Sequence, residues 1–482
     1  KVSMNQNKAN EILAKIWDWS QKTADAPDED ELLFNSADSQ TKTQKNLAAV
    51  TEFIYKELET DEWDNSQMIE WLVKIINGVK LIELQLDSQR EAISVYDRIN
   101  DRGMLLSSAD LIKNILFQRV PDDKFDDISE NWKAMVVSLN DCEKRARLQD
   151  PKYLLRALSA GETEAKVPYD KLVEFWVGRF DDKDEPLDPI EFSVTLAESA
   201  EKLARLATNR YKGTALEEIY LAAELGSVQH FPVLLAGYDI EDPEVFRYLA
   251  KQVNARTVMY ILGRERTQTF ESLIPKWSKR VSDLGKNATI DQLSTLFSDV
   301  AAPTEALYVN LRDQVLSWKY TNSTERKKLR AVIAFLSVEL NHQLGAEVTM
   351  KDAMRTRKLK SEQHGWDIEH IMPQKEDPSP EFQTIGNLCL LAPPDNRSAS
   401  KKLPHEKDDA NYYNQCMLAL TKSVGKLDAL VPATRSAIEG LFASLGSDKE
   451  TMQLTNWDLK AVKSRSDFYL EYLLKTLNTA MF

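Results

Sequence analysis

Residues 367–374 of this chain read Asp-Ile-Glu-His-Ile-Met-Pro-Gln, and this stretch decides the expected fold of the C-terminal part. An apolar run follows at 385–391, and after it comes the polar segment Asp395-Asn396-Arg397. Alternating residues that end in a carboxylate beside a histidine predict a strand, and the later apolar run predicts a second one. The order is the one that a one-metal phosphodiesterase needs. An imidazole takes a proton from water, and oxygen ligands hold a hard divalent cation.

This segment resembles the ββα-metal (His-Me finger, HNH) nuclease module found at the C-terminus of GmrSD-type restriction endonucleases. The resemblance implies that His370 is the general base and that Asn387 orients the histidine or the loop. It implies that Glu369 and Asn396 are metal ligands, with Mg²⁺ as the cofactor and Mn²⁺ as a substitute. Many relatives carry Asp where this chain has Glu369. Whether Glu369 or Asp367 meets the metal therefore stays open.

Each of these residues also has an ordinary structural interpretation. A single histidine beside a strand is usually structural, Asn387 after a glycine fits a turn, and Asn396 fits a helix N-cap. The ordered set favours a nuclease, since three of the five histidines, His364, His370 and His405, fall within this window. We expect His364 and His405 to be surface residues, with His405 able to approach a phosphate.

Composition sets the remaining limits. A chain of 482 residues predicts two or three domains, and 43% hydrophobic with 29% charged residues is typical of a globular protein. No apolar run is long enough to span a bilayer, and the three cysteines form no C-x-x-C pair. We therefore expect no membrane contact and a location in the reducing cytoplasm. Residue 1 is Lys rather than Met, so we also expect that the native start is missing.

Charge bears on the expected partner, which is DNA. A net charge of −14 argues against a general nucleic-acid coat protein but leaves room for a local basic patch. The predicted DNA-binding residues are Arg397, Lys401, Lys402 and Lys407, which lie in or just after the motif. An ordinary solvated surface is the alternative for these cations, and homo-oligomerisation is left open.

A second informative stretch lies at residues 92–113. It resembles the closing portion of the ParB-like N-terminal domain of GmrSD-type enzymes through Asn100, Arg102, Gly103 and the run from Ser107 to Asp110. Ser107 and Asp110 also predict a capping box that opens a helix to about residue 118. The D-G-Q-Q-R motif of that domain and a Walker A loop are both missing from the sequence. We therefore expect the nucleotide site to lie upstream, and the nucleotide-binding residues stay unknown.

The predicted fold class is mainly α, with helical N-terminal and middle regions and a C-terminal ββα-metal domain. The predicted domains are 1–120 (the C-terminal part of the ParB-like domain), 121–345 (a helical middle domain) and 346–482 (the nuclease domain). Trp132, Trp176 and Trp277 are expected to anchor helix packing. Further helices are predicted over 8–24, 46–58, 66–77, 91–100, 194–206, 216–225, 245–262, 412–420 and 435–445, with a final helix to about 477 and a strand over 79–86.

The leading functional hypothesis is a Mg²⁺-dependent DNA endonuclease that leaves 5′-phosphate and 3′-hydroxyl ends. The resemblance further implies type IV restriction, a defence against phage that targets modified, double-stranded DNA. One alternative is a modified-DNA-binding or assembly subunit with a vestigial site, and another is an HNH enzyme that cuts RNA. Zinc catalysis is disfavoured, because one histidine without a thiolate pair makes a poor zinc site.

Overall fold

The computed structural model describes residues 65–78, 107–142, 145–263, 267–299, 305–354, 365–374, 379–399 and 401–481. The chain divides into two compact units, 1–87 and 88–482. In the first unit the described part is helix α1 (Asn65–Gly78), which confirms the helix predicted over 66–77. The predictions for 8–24, 46–58, 79–86 and 91–100 lie outside the described residues.

Helices make up most of the second unit, which confirms the mainly α fold class. They are α2 (Ser108–Arg119), α3 (Phe125–Asn140), α4 (Pro151–Glu162), α5 (Leu172–Phe180), α6 (Pro189–Ala207), α7 (Tyr220–Glu224), α8 (Phe231–Ala236), α9 (Pro243–Leu262), α10 (Thr267–Leu284), α11 (Ile290–Asp299), α12 (Glu305–Ser317), α13 (Ser323–Gln343), α14 (Met350–Met354), α15 (Pro393–Ala399), α16 (Pro404–Asp409), α17 (Ala419–Lys422), α18 (Pro432–Ser444) and α19 (Leu459–Met481). Short 3-10 helices connect them at Asp122–Lys124, Ala146–Gln149, Tyr169–Lys171, Glu217–Ile219, Pro380–Gln383, Ile385–Asn387, Leu427–Ala429, Glu450–Met452 and Leu454–Asn456.

Helix starts follow the capping signals in the sequence. Ser107 Oγ accepts a hydrogen bond from the Asp110 amide at 3.2 Å, and the Asp110 carboxylate accepts one from the Ser107 amide at 3.1 Å. The predicted capping box is therefore confirmed. Asp188 and Asp242 cap α6 and α9 with carboxylates that accept hydrogen bonds from amides of the first turn, and each is followed by a proline.

In the part of the chain that the structure describes, two antiparallel strand pairs interrupt the helices. β1 (Arg210–Tyr211) pairs with β2 (Thr214–Ala215), and β3 (Asp367–His370) pairs with β4 (Leu388–Leu391). The first pair lies between the helices predicted over 194–206 and 216–225, where the sequence predicted neither a helix nor a strand. The second pair confirms both strands predicted around the 367–374 motif.

The predicted helix over 412–420 is wrong. Residues 412–415 form turns, 416–418 are irregular, and the four-residue helix α17 covers only the last two predicted positions, running over 419–422. The helix predicted over 435–445 and the long final helix are confirmed as α18 and α19. The described helices include none that is both long and apolar enough to cross a membrane.

A continuous apolar core runs from the helical region to β4. Trp132, Trp176 and Trp277 are buried in it, which confirms their predicted packing role. The three cysteines are buried free thiols. Helix α13 packs against α14, α17, α19 and β4, so contacts continue across residue 345. The domain boundaries at 120 and 345 stay predictions, and both fall inside the second compact unit.

Candidate active site

The β3–β4 pair fixes the geometry of the site. His370 lies opposite Leu388, and Glu369 lies opposite Cys389. All four residues of β4 are buried, so this strand anchors β3 to the core. Because neighbouring side chains of a strand point to opposite faces, His370 and Glu369 leave the strand in opposite directions. The strand end therefore separates a histidine face from a carboxylate face.

Three side chains surround the imidazole of His370. The Tyr320 ring stands edge-on to it, with 4.4 Å between the ring centroids and an interplanar angle of 87°. The Nε2 atoms of His370 and Gln374 are 3.0 Å apart, and Gln374 also donates to Oε1 of Gln383 at 3.1 Å. Burial, and to a lesser extent the Lys407 ammonium, lower the pKa of His370 to about 4. The imidazole is therefore unprotonated at neutral pH, the state that a general base requires.

The carboxylate face is closed by a buried ion pair. Glu369 Oε1 accepts a hydrogen bond from the Lys407 ammonium at 2.6 Å, and both side chains are almost completely buried. Lys407 also donates to the carbonyl oxygens of His370 at 2.6 Å and of Ile371 at 3.0 Å. Burial raises the pKa of Glu369, and the Lys407 ammonium opposes that shift. Lys407 thus ties α16 to the end of β3.

Lys407 was predicted to bind DNA, and this prediction needs correction. Its side chain has no exposed area, and its ammonium has three oxygen acceptors within 3.0 Å. A phosphate could reach this ammonium only after the ion pair had broken. The charged residue belongs to the interior of the site and stabilises the strand end.

Asn387 holds the loop that follows His370. Its Oδ1 accepts hydrogen bonds from the Met372 amide at 2.8 Å and from the Trp457 indole at 3.0 Å. Its Nδ2 donates to the carbonyl oxygens of Met372 at 3.0 Å and Phe382 at 2.9 Å. The side chain is fully buried and saturated, so Asn387 acts as a positioning residue for the loop.

The C-terminal helix α19 makes hydrogen bonds to β4 and to the residues just before it. The Tyr469 hydroxyl donates to the Leu388 carbonyl at 3.0 Å, and the buried Arg465 guanidinium donates to that hydroxyl at 3.0 Å. The Ser466 hydroxyl accepts a hydrogen bond from the Gly386 amide at 3.1 Å. A Cβ atom at Gly386 would collide with the backbone of α19, which explains the glycine without any left-handed backbone.

Helix α15 carries Asn396 and packs against β3. Asn396 is half-buried, and the described residues offer its side-chain amide no hydrogen-bond partner. Arg397 and Lys401 are exposed, as DNA contacts require. Lys402 is half-buried and donates to the Tyr412 hydroxyl at 2.7 Å, so it is partly committed within the protein.

The predicted metal ligands fit a hard divalent cation in chemical type but not as a preformed cage. Among the described residues no group of three or more His, Cys, Asp or Glu side chains is placed to hold a metal. Mg²⁺ needs only one or two carboxylates, because water and substrate phosphates complete its shell. Asp367 is half-buried near Arg330, and Glu369 is bound to Lys407. Glu369 is thus paired with an ammonium group and Asp367 has a guanidinium near it, whereas Asn396 is uncharged.

Sequence reasoning missed several residues of the site. Gln374 stands in the quoted motif but received no role, whereas Tyr320 and Gln383 come from segments outside it. The signal for Gln374 was its place four residues after the histidine. No local pattern could have placed Tyr320, because it lies 50 residues before His370 in the sequence.

Two parts of the chain match models of known protein families. Residues 2–117 match the family model described as the N-terminal domain of GmrSD restriction endonuclease. Residues 310–472 match the model described as the C-terminal domain of GmrSD restriction endonucleases. The second match begins within α12 and includes Tyr320, α13, the strand pair and most of α19. No curated protein matches the chain.

Proposed function

The chain belongs to the GmrSD restriction endonuclease family, and from that premise we propose that the unit β3–β4–α15 is an HNH-type centre for Mg²⁺-dependent DNA hydrolysis. One observation supports this most directly. A single small unit presents His370 at the end of β3 and Asn396 on α15, which packs against that strand. Asn387 holds the loop between them.

In this proposal His370 accepts a proton from a water molecule, whose oxygen attacks phosphorus. The bond from phosphorus to the 3′ oxygen breaks, which leaves 5′-phosphate and 3′-hydroxyl ends. When the Gln374 amide donates to Nε2, the neutral imidazole carries its proton on Nδ1; rotation of that amide reverses the roles and frees Nδ1 as the base. In this proposal His370 acts as the base with the Gln374 amide oxygen, rather than its nitrogen, facing Nε2, because only that orientation leaves Nδ1 unprotonated and free.

A bound divalent cation would stabilise charge on the phosphate and on the leaving oxygen. Asn396 would hold it together with the carboxylate of Asp367 or of Glu369, whose Oε1 atom is already bound to Lys407. Family membership further supports the proposal that the substrate is double-stranded, modified phage DNA and that the activity is type IV defence. Arg397, Lys401 and Lys402 are the proposed phosphate contacts on this side.

The test is nicking of plasmid and modified phage DNA in Mg²⁺ or Mn²⁺ by the chain and by His370→Ala. His405→Ala is the matched control, since His405 is an exposed histidine close by in sequence. We expect the loss of a general base to reduce the rate by about 10²- to 10⁴-fold in His370→Ala and to leave His405→Ala unchanged. Equal activity in the wild type and His370→Ala would refute the site.

The metal ligands are tested by the Mg²⁺ concentration that gives half-maximal nicking. Asn396→Ala and Asp367→Asn are expected to raise it, and Glu369→Gln separates the two carboxylates. A change only in Glu369→Gln would show that Glu369 exchanges Lys407 for the metal. An unchanged Mg²⁺ dependence in all three variants would refute the proposed ligands.

A further inference from the structure

His370 contacts a segment that lies outside the strand–strand–helix unit. The Tyr320 ring, between α12 and α13, stands edge-on against the imidazole. The guanidinium of Arg326, in the first turn of α13, lies over the Tyr320 ring, 5.2 Å from the ring centroid. One aromatic ring therefore joins an exposed cation to the histidine of the site.

The segment that carries Tyr320 is rigidly held. The Tyr320 amide donates to the Gln383 carbonyl at 2.8 Å, and Gln383 belongs to the network around His370. Asn322 caps α13 with its side chain, and the Glu325 carboxylate accepts a hydrogen bond from the Lys319 amide at 2.7 Å. Arg326 is thus presented from a fixed helix start rather than from a free loop.

The other cations of this region are differently placed. Lys319 donates to the Pro380 carbonyl at 3.0 Å, Lys328 lies over the Trp318 ring, and Arg330 is buried and donates to the Trp366 carbonyl. Lys327 is exposed like Arg326, but of these two cations it is Arg326 that lies over the Tyr320 ring. Arg326 is therefore the exposed cation of this helix start that is linked to His370.

We propose that Arg326, whose guanidinium packs over Tyr320, is a DNA-binding residue. It would contact a phosphate of the strand being cut, at or next to the scissile phosphate. This inference rests on the proposed function and assigns α13 a direct part in substrate binding. The phosphates of one strand recur about every 3.4 Å along the helix axis, so a cation one ring away from the base is within reach of one. A guanidinium also fits phosphate with two parallel hydrogen bonds.

The experiment compares Arg326→Ala with Lys327→Ala, which removes the same charge from the neighbouring exposed position. Binding of a fluorescent double-stranded DNA is measured in EDTA over a range of salt concentrations, so that the readout does not depend on cleavage. We expect Arg326→Ala to weaken binding about tenfold more than Lys327→Ala. The slope of log K against log salt should also become less negative by about 0.9, because one phosphate contact is lost. Arg326→Lys should recover part of the affinity, because it restores charge without the planar fork.

Equal affinities and equal salt slopes for Arg326→Ala and Lys327→Ala would overturn the inference. Loss of cleavage in His370→Ala together with that result would leave the proposed function standing. Conversely, cleavage that persists in His370→Ala would refute the proposed function, while a selective binding loss in Arg326→Ala would still show the phosphate contact.

Discussion

The buried Lys407–Glu369 pair gives the sharpest prediction of stability at the site. In Lys407→Met the Glu369 carboxylate loses its cationic partner while it stays buried, and two backbone carbonyls lose a donor. Breaking a buried pair by removing one partner costs about 3–5 kcal/mol. In Glu369→Met/Lys407→Met both charges are gone, and the two carbonyls remain at about 1–3 kcal/mol each, less where water reaches them. At the middle of these ranges we therefore expect the double variant to be more stable than the sum of the single changes predicts, by about 4 kcal/mol.

The sign of the pH dependence provides an independent check. Burial raises the pKa of Glu369 even with Lys407 present, so in Lys407→Met the folded carboxyl holds its proton to a higher pH than the unfolded one. Stability from this group is complete below the unfolded pKa and is lost as pH rises through the folded pKa. The cost of Lys407→Met should therefore be smallest near pH 4.5 and grow as pH rises.

The assay is hydrogen exchange of the amides of β3 and β4, because a chain of this size need not unfold in one step. Lys426→Met is the control: Lys426 is about half-exposed and pairs with Asp408 and Asp409, so it should cost at most about 1 kcal/mol. Additive effects of Glu369→Met and Lys407→Met would refute the buried pair. They would also return Glu369 to the set of available metal ligands.

Three further predictions follow from the packing. Gly386→Ala should destabilise the strand pair by about 1–3 kcal/mol through collision with α19. Gly440→Ala, in the open middle of α18, should stabilise that helix by up to about 1 kcal/mol, and both changes are read from hydrogen exchange of the nearby amides. Asn387→Asp replaces two donated hydrogen bonds by repulsion between oxygens, so hydrogen exchange should show that the amides of the loop after β3 lose their protection. The rate of nicking should fall in the same variant. Burial lowers the pKa of His230 to about 3, so this histidine's contribution to stability should be lost at about 1.4 kcal/mol per pH unit as pH falls from about 6.5 towards 3, and His230→Gln should remove that loss.

Each of these has a clear contrary outcome. Equal effects of the two glycine changes would mean that α19 does not approach Gly386 closely. Normal protection of the loop in Asn387→Asp would remove its positioning role. If His230→Gln leaves the dependence of stability on pH unchanged below pH 6.5, then His230 does not have a lowered pKa in the folded chain.

Local patterns predicted the parts of the site whose causes are local. Alternation gave the strand that ends at His370, the apolar run gave β4, and the Ser107–Asp110 spacing gave the start of α2. These features depend on neighbours within a few residues, so one sequence suffices. The resemblance to a nuclease family likewise followed from an ordered local motif.

The failures have equally physical causes. Residues 412–420 carry apolar side chains at helical spacing, but Asn411 adopts a left-handed backbone and Asn414 exchanges hydrogen bonds with the Lys426 backbone. A side chain that bonds to backbone in this way competes with a helix. The contact between Lys407 and Glu369 spans 38 residues, and no pattern of either segment alone encodes it.

Burial also changes how the charges of this acidic chain should be interpreted. Lys407, Arg330 and Arg465 lie inside the protein, where they donate to carbonyl, carboxylate or hydroxyl oxygens. Arg326 and Arg397 are exposed on helices beside His370 and Asn396, and only such cations can displace counterions from DNA. With a net charge of −14, loose binding to DNA is suppressed over the rest of the surface. The affinity for DNA should thus depend on few phosphate contacts, and removing either exposed arginine should weaken DNA binding strongly.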